Sequence, residues 1–145
     1  MRQARSEDTP RILVVLVTMP AEARVREFDL DLSKLDRFIR WLIASPAGIV
    51  LVSGDPICAV LMGVVQEMWF GRDKEAFNLP LYVLPENRGG PHAVRLVAAY
   101  KERAAALGAK DIQLCITSGI APEKTNGLVQ RLGFTPIGGY FAAGA

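Results

Sequence analysis

The chain has 145 residues, half of them hydrophobic and 22% charged, with a formal net charge of +2. That length suits one domain able to bury roughly two-thirds of the surface its unfolded form exposes, and the composition excludes a disordered chain. The small net charge gives no electrostatic footprint for nucleic acid, and the apolar run ending at Val17 is too short for a signal-peptide core or a bilayer span.

Residues 1–10 are polar, end in Pro10 and are expected to form a flexible lead-in, with the domain proper over 11–145. Ile12 to Val17 is apolar and largely β-branched, the pattern of a strand covered on both faces. Thr18 and Pro20 open a short helix expected to run to Phe28. Ser33 with Asp36 makes a variant capping box, and Leu35, Phe38, Ile39 and Leu42 recur at helical spacing until Pro46 forbids continuation. Gly48–Ser53 and Ile57–Trp69 are strand-like runs joined by the turn signal Gly54-Asp55-Pro56, which predicts an antiparallel hairpin. Phe70–Glu75 is a polar loop and Ala76–Leu84 another strand. Cys58 and Cys115 lie far apart in apolar runs, so reduced buried thiols and a cytoplasmic compartment are expected, not a metal knuckle or a redox pair.

After the Ala76–Leu84 strand the chain reads Pro85-Glu86-Asn87-Arg88-Gly89-Gly90-Pro91-His92-Ala93. Two glycines let backbone N–H groups turn toward one point, Pro91 suits the first helical position, and a helix N-terminus carries partial positive charge. The stretch is either an anion cradle or only a tight connection. It has neither the Gly-Lys-Ser/Thr ending of the phosphate loop nor the Gly-x-Gly-x-x-Gly of a dinucleotide site. Pro91–Leu107 puts Ala93, Leu96, Val97, Tyr100, Ala104 and Leu107 on one helical face, and Gly108 stands where a C-cap is wanted. Asp111–Thr117 reads as a strand, Glu123–Leu132 as a short helix and Phe134–Ala142 as a last strand interrupted by Gly138-Gly139.

This order argues for a single α/β domain with a mixed central sheet flanked by helices. Leu81–Thr117 forms a βαβ unit with parallel strands and a right-handed crossover, placing the glycine turn at the carboxyl edge where ligands bind in such sheets.

Val83-x-Pro85-Glu86-x-Arg88-Gly89-Gly90 resembles the opening of the pyrophosphate motif of the GCN5-related N-acetyltransferase superfamily, Val-x-Pro-x-x-Arg/Gln-x-x-Gly-x-Gly/Ala. Leu132-Gly133-Phe134 is similar to the Leu-Gly-Phe with which that family closes its next helix. The element order follows the family over nearly the whole chain, and recognisable motifs cover Leu81 to Phe134. The resemblance implies an acetyl-coenzyme A dependent N-acetyltransferase acting on a primary amine of a small molecule or a protein by direct attack. The alternative is a family-like fold kept as a binding or regulatory module with weak or absent catalysis. The resemblance also implies a homodimer paired through the last strands, while the small net charge and short apolar run lead us to expect no nucleic-acid or membrane partner.

Two departures stand out. Pro91 takes the place of a motif glycine and lacks an N–H, so the loop offers one donor fewer. Val129 stands where the family often has a tyrosine able to protonate the leaving thiolate, with Tyr140 and Tyr82 as substitutes. By the same resemblance Leu81, Tyr82, Val83, Arg88, Gly89, Gly90, Pro91, His92 and Ala93 would hold the coenzyme. Lys124 and Ser118 would reach its far end, and amides of Leu81–Val83 would polarise the thioester carbonyl.

Transfer to an amine needs a neutral nucleophile. Glu67, in the apolar run Gly63–Trp69, is the first candidate base if partly buried; otherwise it faces solvent on an alternating strand. His92, the only histidine, either touches phosphate or serves as base near a helix start, or is a loop histidine without function. Gln66, Trp69, Phe70 and the stretch from Phe28 to Leu32 are candidates for an acceptor pocket or for core. A covalent route through Cys58 or Cys115 is disfavoured, since neither has a neighbouring histidine in sequence.

Overall fold

The structure, a computed structural model, describes residues 1–23 and 29–143. Its N-terminal part departs most from the sequence pattern. Arg2–Gln3 form a short strand, β1, paired antiparallel with Val52 and Leu51. The Arg2 guanidinium donates to both carboxylate oxygens of Asp8 at 2.6 and 2.7 Å, and the Arg5 N–H donates to the same carboxylate at 2.7 Å. The segment expected as a loose lead-in thus holds a strand, a 3-10 turn at Ser6–Asp8 and the start of helix α1, Thr9–Leu16.

Ile12–Val17, expected as a strand, lies almost wholly in α1. Ile12, Val15 and Leu16 are buried while Val14 and Val17 face outward, so the run has one covered face at helical spacing. Pro10 in the first turn presets the helical φ, and packing of that face overrides the weak strand preference of the β-branched residues. Helix α2 (Met19–Glu22) follows, and its expected extension to Phe28 falls outside the described residues. Helix α3 (Leu32–Ala44) is capped by Asp31, whose carboxylate accepts from the Lys34 N–H at 2.9 Å, in place of the expected Ser33 cap.

The predicted hairpin is present as β2 (Gly48–Gly54) and β3 (Ile57–Glu67), followed by the antiparallel β4 (Lys74–Val83). Leu61 pairs with Leu81 but Gly63 with Asn78, so Leu79 and Pro80 together oppose Met62 in a bulge. A bulge is where a sheet tolerates proline. Helix α4 (His92–Ala106) then crosses to β5 (Ala109–Ile112), which runs parallel to β4. Gly108 closes α4 with φ +88°, the left-handed conformation anticipated for it. Helix α5 (Pro122–Arg131) completes the elements. The sheet order is β1-β2-β3-β4-β5, antiparallel except for the last pair, which is the mixed α/β sheet that the element order implied.

Two glycines show which helix covers which face. A Cβ on Gly63 would come within 2.8 Å of the Tyr100 ring of α4, and one on Gly48 would run into the Leu42 backbone of α3. Val64 pairs with Gly48, Met62 with Val50 and Val60 with Val52, so these residues share the α3 face, while α4 covers the opposite one.

The expected strand Phe134–Ala142 is not formed. Pro136 lacks a ladder donor, Gly138-Gly139 have no side chain to pack, and Ile137, Tyr140 and Phe141 are exposed. Leu132-Gly133-Phe134 instead docks onto α4: the Lys101 ammonium donates to the Leu132 carbonyl at 3.0 Å and lies 5.2 Å from the Phe134 ring centre.

Candidate functional site

The site begins where two parallel strands part. The last bond of the ladder runs from the Gln113 N–H to the Ala76 carbonyl at 2.8 Å. Two residues further along β4, the buried Asn78 side chain fills the gap. Its amide donates to the carbonyls of Leu79 and Cys115, each at 3.0 Å, and its oxygen accepts from the Cys115 N–H at 2.6 Å. One side chain thus replaces a ladder step and fixes the chains apart. The expected strand Asp111–Thr117 accordingly stops at Ile112.

Beyond the parting lies a cavity of about 400 Å³. Leu79–Leu81 of the β4 bulge and the chain Cys115–Ser118 form its two edges. Leu16, Met19, Leu35 and Phe38, from α1, α2 and α3, close it with hydrocarbon. Ser118 turns its hydroxyl to accept from the Ile120 N–H at 3.2 Å.

At the carboxyl end of β4, the chain makes a 3-10 turn at Pro85–Asn87 and reaches the glycine loop. Gly89 has φ +84°, and nothing lies within 4 Å of where its side chain would be. Pro91 is the N-cap of α4, one position earlier than expected, and the first bond of the helix runs from the Arg95 N–H to the Pro91 carbonyl at 3.0 Å. The N–H groups of His92, Ala93 and Val94 therefore precede the helix's own ladder. The donor that proline lacks falls at the cap, so the first-turn donors that attract anions are intact.

Arg88 is held on three sides. Its Nε donates to the Val83 carbonyl at 3.0 Å, its guanidinium donates to both oxygens of the Glu22 carboxylate, one of them at 3.1 Å, and it lies 5.5 Å from the Tyr82 ring centre. The Tyr82 hydroxyl donates to the same carboxylate. Arg88 holds the Glu22 carboxyl below its ordinary range, while burial and then Glu22 push Tyr82 up to about 12. Tyr82 is therefore a neutral strut between β4 and α2, with its hydroxyl already engaged.

His92 has the partners that the sequence did not suggest. Its Nδ1 lies 2.9 Å from Ser53 Oγ at the end of β2, and its Nε2 lies 3.7 Å from Cys58 Sγ at the start of β3. The imidazole thus ties the first turn of α4 to the hairpin. Burial pushes the Cys58 thiol up, which disfavours the thiolate that a covalent carrier needs. Both cysteines are free, as expected, with Cys58 buried and Cys115 partly so.

The catalytic candidates fare differently. Glu67 is exposed and pairs in register with Lys74, at the end of β4 away from the loop, so the partial burial that would make it a base is absent. Tyr140 is 77% exposed, and the neighbouring Cys115 thiol pushes its hydroxyl above the ordinary value. With Val129 and Cys115 it borders a second cavity, of about 690 Å³, so Tyr140 and the valine at the family's tyrosine position face one space. Cys115 backs both cavities.

Lys124 is exposed on α5 and borders neither cavity. Gln66 donates to Glu75 at 3.1 Å, and Trp69 and Phe70 meet edge to face in solvent, so these three do not gather around an acceptor pocket. Leu30 lines the first cavity, Leu32 is exposed, and Phe28 lies outside the described residues. Among the described residues there is no group of three or more histidine, cysteine or carboxylate side chains able to hold a metal. No described helix is long and apolar enough to cross a membrane. Asn78 and Glu22 went unnoticed in the sequence. Asn78 left a signal, as the lone polar residue between Ala76 and Leu84; Glu22 left none.

This architecture, with strands parted beside a bulge and a glycine loop opening the crossover helix, is the fold of the GCN5-related N-acetyltransferases. An acetyltransferase of Trypanosoma brucei superposes with a TM-score of 0.75 at 16% identity, over 99% of this chain and 97% of that one. An aminoglycoside acetyltransferase from an uncultured soil metagenomic sample gives 0.74 at 20% identity, over 99% and 96%. A transcriptional regulator from Bacillus halodurans gives 0.77 at 18%, over 99% and 97%. No family model matches the chain, and no curated protein matches it. At these identities the likeness establishes the fold.

Proposed function

We propose that the chain is an N-acetyltransferase that moves an acetyl group from acetyl-coenzyme A to a primary amine by direct attack. The observation that carries this reading is the alignment of two features on β4: the Asn78-held parting of the strands, and the open N-terminus of α4 at the same strand's carboxyl end. Fit to the coenzyme rests on the empty space over Gly89 and on the first-turn N–H groups of α4.

When bound, acetyl-coenzyme A supplies an activated acetyl thioester. The Gly89 and Gly90 amides and the N–H groups of His92, Ala93 and Val94 would hold its pyrophosphate. Amides of Leu81–Val83 would serve the carbonyl, and an oxyanion donor of this kind contributes roughly 3 kcal/mol. The amine attacks in its neutral form, since an ammonium has no lone pair, and in this reading its proton passes to water, no described lining residue being a carboxylate or imidazole. As the amide bond forms, the thioester C–S bond breaks and the coenzyme's thiolate leaves and takes a proton from water; Tyr140 borders the second cavity, which shares Cys115 with the first.

A second reading has its own support: Glu22 neutralises Arg88, the cation of the loop, as would suit a binding or regulatory module with little catalysis. Thermal melting with coenzyme A, followed by thiol release from acetyl-coenzyme A over an amine panel, separates the two. A saturable stabilisation with turnover supports the transferase, and stabilisation without turnover supports the module. No stabilisation at millimolar coenzyme A sinks both. A cytoplasmic location and a homodimer using exposed Trp41, Ile137 and Phe141 belong to the same proposal.

A further inference from the structure

The helical wall of the cavity differs from what a polar amine would need. Leu16, Met19, Pro20, Ala23, Leu35 and Phe38 face the bulge of β4 with no charged group among them, and no described lining residue is charged. Glu22, next to the lining residue Ala23, is committed to Arg88 and Tyr82. A cation brought into this wall would lose its hydration with no described counter-charge to replace it. Apolar groups lose nothing of the kind and gain by leaving water.

We propose, building on the transferase reading, that the acceptor is a monoamine carrying an aryl or branched alkyl group, which packs against Leu35 and Phe38 while its amino group faces the Leu79–Leu81 edge. The polar work divides between the two walls. Backbone at the parted strands serves the reacting atoms, and the helices select the hydrocarbon. About 400 Å³ is within the range of small-ligand sites. Selectivity follows from hydrocarbon fit, where each methylene is worth about 10- to 200-fold. Polycations, such as the aminoglycosides named for one structural neighbour, would meet no carboxylate among the described lining residues.

Two arms test this. In the first, calorimetry measures direct binding of 2-phenylethylamine, isopentylamine, spermidine and kanamycin to the full chain, with and without coenzyme A. The two apolar amines are expected to bind at least about tenfold more tightly than the polycations. In Leu35→Asp, which adds a carboxylate to the wall, the order is expected to move toward spermidine by a similar factor. Leu35→Met, which keeps the wall apolar, is expected to retain the original order, and coenzyme A binding by both variants confirms that they are folded. The second arm repeats the series as acetyl-coenzyme A turnover. Tighter binding or faster turnover of spermidine or kanamycin by the wild type overturns the proposal, as does absence of amine binding at millimolar concentration. Apolar amines that bind in the Leu35-dependent order without any coenzyme A binding support the pocket's selectivity while removing the transferase reading.

Discussion

Replacing Asn78 by alanine tests the strand parting on which the site depends. The change removes three hydrogen bonds and leaves the Cys115 N–H and the carbonyls of Cys115 and Leu79 without this partner. A hydrogen bond is worth about 1 kcal/mol net, and a buried group left unpaired costs about 1–3 kcal/mol. Cys115 borders the cavity, where water can take up part of the loss, which sets the expected destabilisation at about 2–3 kcal/mol. At roughly 4 °C per kcal/mol for a domain of this size, the melting temperature should fall by about 8–12 °C. Asn78→Asp sharpens the result. It keeps the acceptor for the Cys115 N–H but turns a carboxylate oxygen toward two carbonyl oxygens, where the amide had donated. Burial and those carbonyls raise the new acid's pKa in the folded state, so the variant is least stable above that pKa and recovers as pH falls through it. Calorimetric melting of both variants from pH 4 to pH 8 reads this directly. A melting temperature for Asn78→Ala within about 1 °C of wild type, or a pH-independent deficit in Asn78→Asp, would refute the claim that this side chain holds the strands apart.

Other consequences are as open to measurement. Glu22→Gln removes the charge that neutralises Arg88. Because both groups are about one-third exposed, stability should change by less than about 1 kcal/mol, while calorimetry should show coenzyme A binding more tightly. Weaker binding would mean that Glu22 orders the loop for its ligand. Asp8, held down to about 2 from 3.8 chiefly by its hydrogen bonds from Arg2, contributes about 2 kcal/mol of stability above pH 4. Since its folded pKa is lowered, that contribution should vanish as pH falls from 4 to 2, and urea midpoints for Asp8→Asn should lack this component. Gly63→Ala drives a methyl to 2.8 Å from the Tyr100 ring, whose hydroxyl is pinned to the Gln113 carbonyl at 2.9 Å, so overpacking should cost about 1–3 kcal/mol in chemical denaturation. Turnover should rise with pH along the titration of the amine itself, and a bell shaped by an enzyme base instead would reveal a group outside the described lining.

What could be read from the chain divides along physical lines. The hairpin, the α4 crossover and the glycine loop rest on local chemistry: turn residues, a 3.6-residue period closed by Gly108, and a proline at the helix start. They were legible for that reason. Ile12–Val17 misled because a run of apolar residues fits either a covered strand or a helix with one buried face, and only packing decides. Phe134–Ala142 misled because its residue types favour a strand, while Pro136 and the glycine pair withhold donors and packing. The candidate site's backbone, the glycine loop with Gly89 at positive φ and the start of α4, was legible as local geometry. It was hidden where it is side-chain pairing across the fold. Glu22 meets Arg88 across 66 positions of chain, and His92 meets Ser53 across 39, contacts that no local pattern encodes. Glu67 illustrates the converse error, since its apolar neighbours suggested burial, but the strand end that carries it is open to solvent.

The central claim is that the loop from Arg88 to His92 and the first turn of α4 hold the pyrophosphate of coenzyme A beside the parted strands. Titrating coenzyme A into the isotopically labelled chain, with amide resonances followed by NMR, tests it most directly. Saturable shifts confined to the amides of Gly89–Val94 and of Leu79–Val83 are the expected result. No shift at millimolar coenzyme A, or shifts gathered on another part of the sheet, would contradict it.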